Sequence, residues 1–337
     1  MSEWLLIIVL WILLYCYLIL ASIDFGAGFF LAFSRVFRRD KRIYSLVHHY
    51  LSPFWEMTNI IFLFFFIGIL SFLPNMISFY EGGFITPSLI LLLLLLIRTG
   101  TYAYYYYTEK ENRFFYVFYG LTGLAIPAVM ATGLTMTEGG YLHNISGQWR
   151  LNYGDLFGSF YFWVVLLLAV ISVVYISLMF MTFYAAKRKA RELLNQLKGY
   201  VIAWSVPTIL ASAVVFAGLQ NHNPEHFNKA LDVSWLFLCS LICLMVAITL
   251  VFQDKWHSVA FFFVLLQFFF AFFGYGISHL PYIIYPDVTL PQTSFGSTVL
   301  NDIVDGVVIV SALSIPVLIL YLRLFIARSH KNKSEER

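Results

Sequence analysis

Three charged side chains stand inside the first three stretches built for a membrane: Asp24, Glu56 and Arg98. A carboxylate takes up and releases a proton, and a guanidinium beside it sets how readily it does so. An ionisable residue at membrane depth costs on the order of 2.5–3.5 kcal/mol on insertion scales, so each is a functional candidate by default. Acids at descending depth beside a cation offer a proton uptake route, with Asp24 deeper and Glu56 nearer the inner boundary. The same residues admit a second reading. Asp24 and Arg98 read equally as a buried ion pair that fixes helix packing, and Glu56 as a solvated acid at the positive end of a helix. Gly26 and Gly28 follow the first acid and let another backbone approach it, which encloses it in protein instead of lipid. Asp302 and Asp305, three apart, read as a water-facing start of the last apolar segment.

Other chemistries find little support. A haem needs a ligand facing the bundle interior. His48, His49, His143, His222, His226 and His330 fall in expected loops or the tail. His257 and His279 fall at opposite ends of one expected helix, about 33 Å apart at 1.5 Å per residue. Met57, Met130 and Met245 read as packing residues. Cys16, Cys239 and Cys243 lack the paired spacing of a zinc or redox motif. The expectation is a chain that binds no haem and no metal.

The elements that position these residues are membrane helices. The chain is 61% hydrophobic and 12% charged, about half the charged share of an ordinary soluble domain. Nine segments are long and apolar enough to cross a bilayer, near 4–33, 54–79, 85–107, 114–135, 156–185, 200–219, 233–252, 256–280 and 297–326. Eighteen of the twenty-one Lys and Arg residues fall in the odd-numbered connections and the C-terminal end. Basic residues stay cytoplasmic during insertion, so this asymmetry predicts the N-terminus outside and the C-terminus inside. Their neighbour is anionic phospholipid, not nucleic acid. The start Met-Ser-Glu-Trp lacks the basic region of a cleavable signal peptide, and the first helix is expected to remain in place. The fold class is all-α, a polytopic bundle over 1–327 with a polar cytoplasmic tail over 328–337. Pro127, Pro207 and Pro316 lie inside spans, where neighbouring helices tolerate them.

In order along its length, the chain resembles subunit II of the cytochrome bd-type quinol oxidases. Ile23-Asp-Phe-Gly-Ala-Gly28 is similar to that family's F-D-x-G-x-G, and Ser52-Pro-Phe-Trp-Glu56 to its start of the second span. Arg98 falls where the family carries an Arg in the third, and Gly274-Tyr-Gly-Ile-Ser278 with Pro281-Tyr-Ile-Ile-Tyr-Pro286 resembles the end of its eighth. Ala21 stands where another acid is usual, Glu56 where Asp is, and Thr58-Asn-Ile-Ile61 with Phe64-Phe-Phe66 differ from the family's second span. The resemblance implies a bacterial cell-membrane complex that oxidises quinol and reduces dioxygen to water with cytoplasmic protons. It places two b haems and haem d in the partner, subunit I, allows a further small single-helix subunit, and leaves this chain haem-free with Asp24, Glu56 and Arg98 on a proton route. The alternative is a proton-coupled secondary transporter, but no repeated halves of the kind such transporters show are visible.

The charge asymmetry makes a direct prediction. A Lys189→Cys variant should react with an impermeant thiol reagent only after the cytoplasmic face is opened. Strong labelling of intact cells would invert the topology.

Overall fold

The computed structural model describes residues 2–38, 41–72, 80–107, 113–145 and 148–289. The expected span 297–326, with Asp302, Asp305 and Pro316, and the tail 328–337 lie outside the described residues, as does the end of the second span.

Helix α1 (Ser2–Phe33) runs into a π-helical turn, Ser34–Arg38, and is followed by α2 (Lys41–Phe72). A second π-helical turn, Tyr80–Phe84, leads into α3 (Ile85–Tyr107), and α4 covers Arg113–Thr137. Then come an antiparallel hairpin of β1 (Leu142–Ile145) and β2 (Gln148–Leu151) and the short α5 (Tyr153–Gly158). Helices α6 (Phe160–Lys187) and α7 (Arg191–His222) are joined by a tight connection. The short α8 (Pro224–Asp232) precedes α9 (Ser234–Phe252) and α10 (His257–His279). Strands β3 (Tyr282–Ile284) and β4 (Val288–Thr289) form a second small antiparallel pair.

Seven helices among the described residues are long and apolar enough to cross a membrane, and α2 contributes a shorter apolar stretch, Phe54–Phe66. Helix α6 is the hub, packing against α1, α4, α7 and α10. Its buried positions run all round the helix from Val173 to Thr182, the pattern of a helix enclosed by protein. Among the described helices α3 is peripheral and turns Leu89, Leu92, Leu93 and Leu96 outward.

The second helix differs from expectation. It begins at Lys41 rather than near residue 54, so Glu56 lies within it and not at its positive end. The reason is legible afterwards: Ile43, Leu46, Val47, Tyr50 and Leu51 repeat at helical spacing and are all buried. They join one apolar core with Phe180, Tyr184 and Leu197. His48 and His49 are therefore helical and not in a loop, and His222 ends α7. His226 is also helical. Asn223 caps α8 by accepting from the His226 backbone N–H, and Pro224 starts the helix, the preferred arrangement for a helix N-terminus.

Two glycines allow the close approaches that hold α1. A Cβ on Gly26 would lie 2.3 Å from Ser177 Cβ of α6, and one on Gly123 of α4 would lie 2.4 Å from the Phe25 carbonyl oxygen. Gly199, in α7, has nothing within 4 Å of its own Cβ position. Gly123→Ala should therefore destabilise the folded protein by about 1–3 kcal/mol through overpacking. Gly199→Ala should stabilise it by about 0.5–1 kcal/mol through backbone entropy. Opposite shifts in the thermal midpoint of the detergent-solubilised protein check this pair.

Candidate functional site

Asp24 on α1 and Arg98 on α3 meet inside the bundle, at 1% and 2% exposure. Arg98 Nε donates to Asp24 Oδ2 at 3.3 Å, and Nη2 lies 3.2 Å from the same oxygen. Nη2 also donates to the Asp24 carbonyl oxygen at 2.9 Å, and Nη1 to the Tyr119 carbonyl oxygen at 3.0 Å. The Tyr119 hydroxyl of α4 donates to the other carboxylate oxygen, Oδ1, at 3.3 Å. One guanidinium thus ties α1 to α4, using the fork of donors that an ammonium lacks. Its flat face lies over the Tyr119 ring, 4.1 Å from the centroid, and 4.9 Å from that of Phe25. The two small residues of the Asp24 motif have separate tasks. Gly26 admits Ser177, whereas a Cβ on Gly28 would press within 3.1 Å of Arg98 Nη1.

A cavity with room for about one water molecule opens beside this pair. Its lining includes Asp24 and Arg98, with Tyr17 on one side and Trp55, Thr58 and Asn59 of α2 on another. The Trp55 ring stacks on Tyr102 with centroids 4.9 Å apart. Glu56 is not a member of the buried pair. It stands exposed on α2, one helical turn before the exposed Asn59, and residues three apart on a helix are surface neighbours. The structure brings Asp24 and Arg98 together and leaves Glu56 outside, on the helix that walls the cavity.

A second polar cluster was not foreseen. Glu138, just past α4, is 3% exposed and faces His226 of α8 and His279 at the end of α10. His226 Nδ1 lies 2.9 Å from both carboxylate oxygens, and Asn223 Nδ2 donates to Oε2 at 3.0 Å. The Tyr275 hydroxyl donates to Oε1. His226 Nε2 is 2.8 Å from Ser278 Oγ. Burial alone would push the Glu138 carboxyl up, but the facing His226 and His279 imidazoles outweigh it and hold the group well below the usual carboxylate range. The expectation that no histidine faces the interior is therefore corrected: His226 is fully buried and His279 is 8% exposed. The physical reason is α8, a short helix in a connection that reads as a polar loop. The available signal was a lone Glu directly after the apolar α4 and before Gly139-Gly140.

A model of the family described as "Cytochrome bd terminal oxidase subunit II" matches residues 2–326. The chain belongs to that family. It is 23% identical over 292 residues to the "Putative cytochrome bd menaquinol oxidase subunit II" of Bacillus subtilis (strain 168), an alignment covering 84% of this chain and 83% of the relative. It is also similar to a chain in the solved structure of bd oxidase from Geobacillus thermodenitrificans. There the identity is 38% and the TM-score 0.81, with 96% of this chain and 98% of that chain covered. As a bd oxidase subunit II, the chain is a multi-pass bacterial membrane protein and part of a quinol oxidase complex, which implies a subunit I partner. The transporter reading is set aside.

In this subunit, each member of the Asp24–Arg98 pair keeps the other's burial tolerable. Either Asp24→Asn or Arg98→Met alone should lower stability by about 3–5 kcal/mol, because an unpaired polar or charged partner stays buried. The double variant should lose less than the sum. Thermal unfolding of all four proteins measures the coupling, and strictly additive losses would show that the two groups do not depend on each other.

Proposed function

We propose that this chain is the haem-free subunit II of its oxidase complex, crossing the membrane nine times with its N-terminus outside. We propose further that Asp24, Glu56 and Arg98 lie on a route supplying cytoplasmic protons for the reduction of dioxygen to water. The observation that carries the proton route is the cavity beside Asp24. A buried carboxylate next to room for about one water has the geometry for a proton hop. Glu56, exposed one turn from the cavity-lining Asn59, stands where a proton would be collected. Water held by Thr58 and Asn59 would pass it to Asp24. Arg98 and the Tyr119 hydroxyl hold the Asp24 carboxylate in place while the proton arrives.

The count of nine combines the seven spanning helices, the apolar stretch of α2 and the undescribed segment 297–326. Its orientation rests on the basic connections. The two b haems, haem d and the quinol chemistry are assigned to subunit I, where the haems supply electron transfer and dioxygen reduction. The buried histidines of this chain fit that assignment. Both ring nitrogens of His226 already face protein groups at 2.8–2.9 Å. His279 Nδ1 faces the Glu138 carboxylate at 3.6 Å, too close for a porphyrin to pass between.

A packing role for Asp24 and Arg98 is the second reading, favoured by the number of hydrogen bonds the pair makes. Asp24→Asn separates the two. On the proton-route reading it slows oxygen consumption by on the order of tenfold or more, since positioned proton-transfer groups contribute 10²–10⁴-fold, while haem content stays intact. Glu56→Gln acts in the same direction and more weakly. Loss of haem or of assembly with Asp24→Asn would support packing. Parental oxygen consumption by both variants across the pH range would mean that protons enter elsewhere.

A further inference from the structure

The cluster of Glu138, His226 and His279 has no part in the proton route, and its hydrogen-bond inventory is that of a cation site. Each imidazole spends its Nε2 on the protein. His226 Nε2 faces Ser278 Oγ, whose own proton goes to the Tyr275 carbonyl oxygen at 2.9 Å. His226 Nε2 must therefore be the donor in that contact. His279 Nε2 faces the carbonyl oxygen of Ile283 at 3.4 Å and can only donate there. This arrangement leaves the two Nδ1 atoms facing one place, with the Glu138 carboxylate on its other side. Among the described residues, the buried His279 Nδ1 has no hydrogen-bond partner, although it lies 3.6 Å from Glu138 Oε1. Two imidazole nitrogens and a carboxylate converging in one buried pocket are the ligand atoms that a cation needs.

His226 Nδ1 already stands at hydrogen-bond distance from Glu138, whereas His279 Nδ1 stands off at 3.6 Å. An ion that accepts three ligands satisfies all of them. The candidate ligand atoms of the three residues lie within 4.8 Å of one another, and the two rings stand nearly perpendicular, 78° apart with centroids at 5.0 Å. The supporting contacts also match a metal centre, in which ligating imidazoles donate their second N–H to the protein and the ligating carboxylate is itself hydrogen-bonded. Here Ser278 and the Ile283 carbonyl serve the rings, and Tyr275 and Asn223 hold the carboxylate.

We propose that this pocket binds a divalent transition-metal ion of the Zn²⁺ type through Glu138, His226 Nδ1 and His279 Nδ1. Two imidazoles and a carboxylate form a donor set suited to Zn²⁺ and leave a fourth position open to a small oxygen ligand. Its role is structural. It joins the end of α4, the short α8 and the end of α10, three elements far apart in the chain. The inference is independent of the proton route, and its failure would leave that route untouched.

The test uses the whole oxidase complex, stripped with a chelator and titrated with Zn²⁺ alone. After desalting, elemental analysis should find about one zinc per complex, counted against haem iron. The zinc X-ray absorption spectrum should show nitrogen and oxygen neighbours at about 2.0–2.1 Å with imidazole scattering. His279→Gln removes one imidazole ligand, and should weaken zinc retention, counted against haem iron, at least tenfold. Failure of the parental complex to retain zinc would overturn the proposal, as would retention undiminished in His279→Gln. If that variant does not assemble, the parental spectrum decides alone: a zinc shell without imidazole scattering would place the ion elsewhere.

Discussion

A charge buried in a membrane bundle must be answered within the protein, and the Asp24–Arg98 pair shows how much structure that demand recruits. The guanidinium reaches a carboxylate and a helix carbonyl on α1 and a second carbonyl on α4. For this to happen the backbones of α1 and α4 must approach closely, which is why Gly123 faces the Phe25 carbonyl and Gly28 faces Arg98. A Cβ at Gly123 would press on the Phe25 carbonyl at 2.4 Å, and one at either position would crowd Arg98 Nη1 at 3.1–3.2 Å. The ion pair is poor evidence for high stability, since desolvating two charges offsets much of their attraction. Its contacts tie α1, α3 and α4 together.

The same rule governs the polar cluster at the other end of α4, with different means. There the enclosing elements are a short capped helix, the hairpin connection and the last turn of α10. His222 lies between the rings of Tyr141 and Tyr161, stacked at 4.9 and 5.2 Å with nearly parallel planes. Tyr285 stacks on His226 at 5.6 Å, and its backbone N–H donates to the Thr137 carbonyl oxygen at 2.9 Å. Aromatic rings with polar edges suit this depth, where one side of a group meets apolar packing and the other meets hydrogen-bond partners. Helix α6 runs past both clusters, supplying Ser177 beside Gly26 and Tyr161 beside His222.

The sequence and the structure agree best where the membrane forces the issue. Long apolar runs can only be helices there, and a lone Asp or Arg inside one stands out against its surroundings. Asp24 and Arg98 were legible for that reason, including their pairing. Glu56 was legible as an acid but not in its setting. The helical repeat from Ile43 to Leu51 carries α2 back past the expected boundary, and that repeat is masked by Lys41, Arg42, His48 and His49 in the same stretch. Glu138 left only the faint signal of a lone acid between an apolar span and Gly139-Gly140, and His226 left none. At the ends of spans, charged and polar residues are usual and solvated, so nothing in their type marks them as buried. Only the fold, by bringing residues 138, 226 and 279 to one point, turns three ordinary boundary residues into a site.

The pairing of Asp24 with Arg98 also has an order in time. The two are 74 positions apart, and Tyr119 follows Asp24 by 95. A ribosome adds roughly 5–20 residues per second, so the first helix is synthesised on the order of ten seconds before its counter-charge exists. Throughout that interval the Asp24 carboxylate has neither Arg98 nor the Tyr119 hydroxyl to face. Nascent α1 must therefore keep this residue solvated, protonated or shielded until α3 and α4 arrive. The third and fourth helices do more than extend the bundle: their arrival gives the carboxyl group of the first its hydrogen-bond partners.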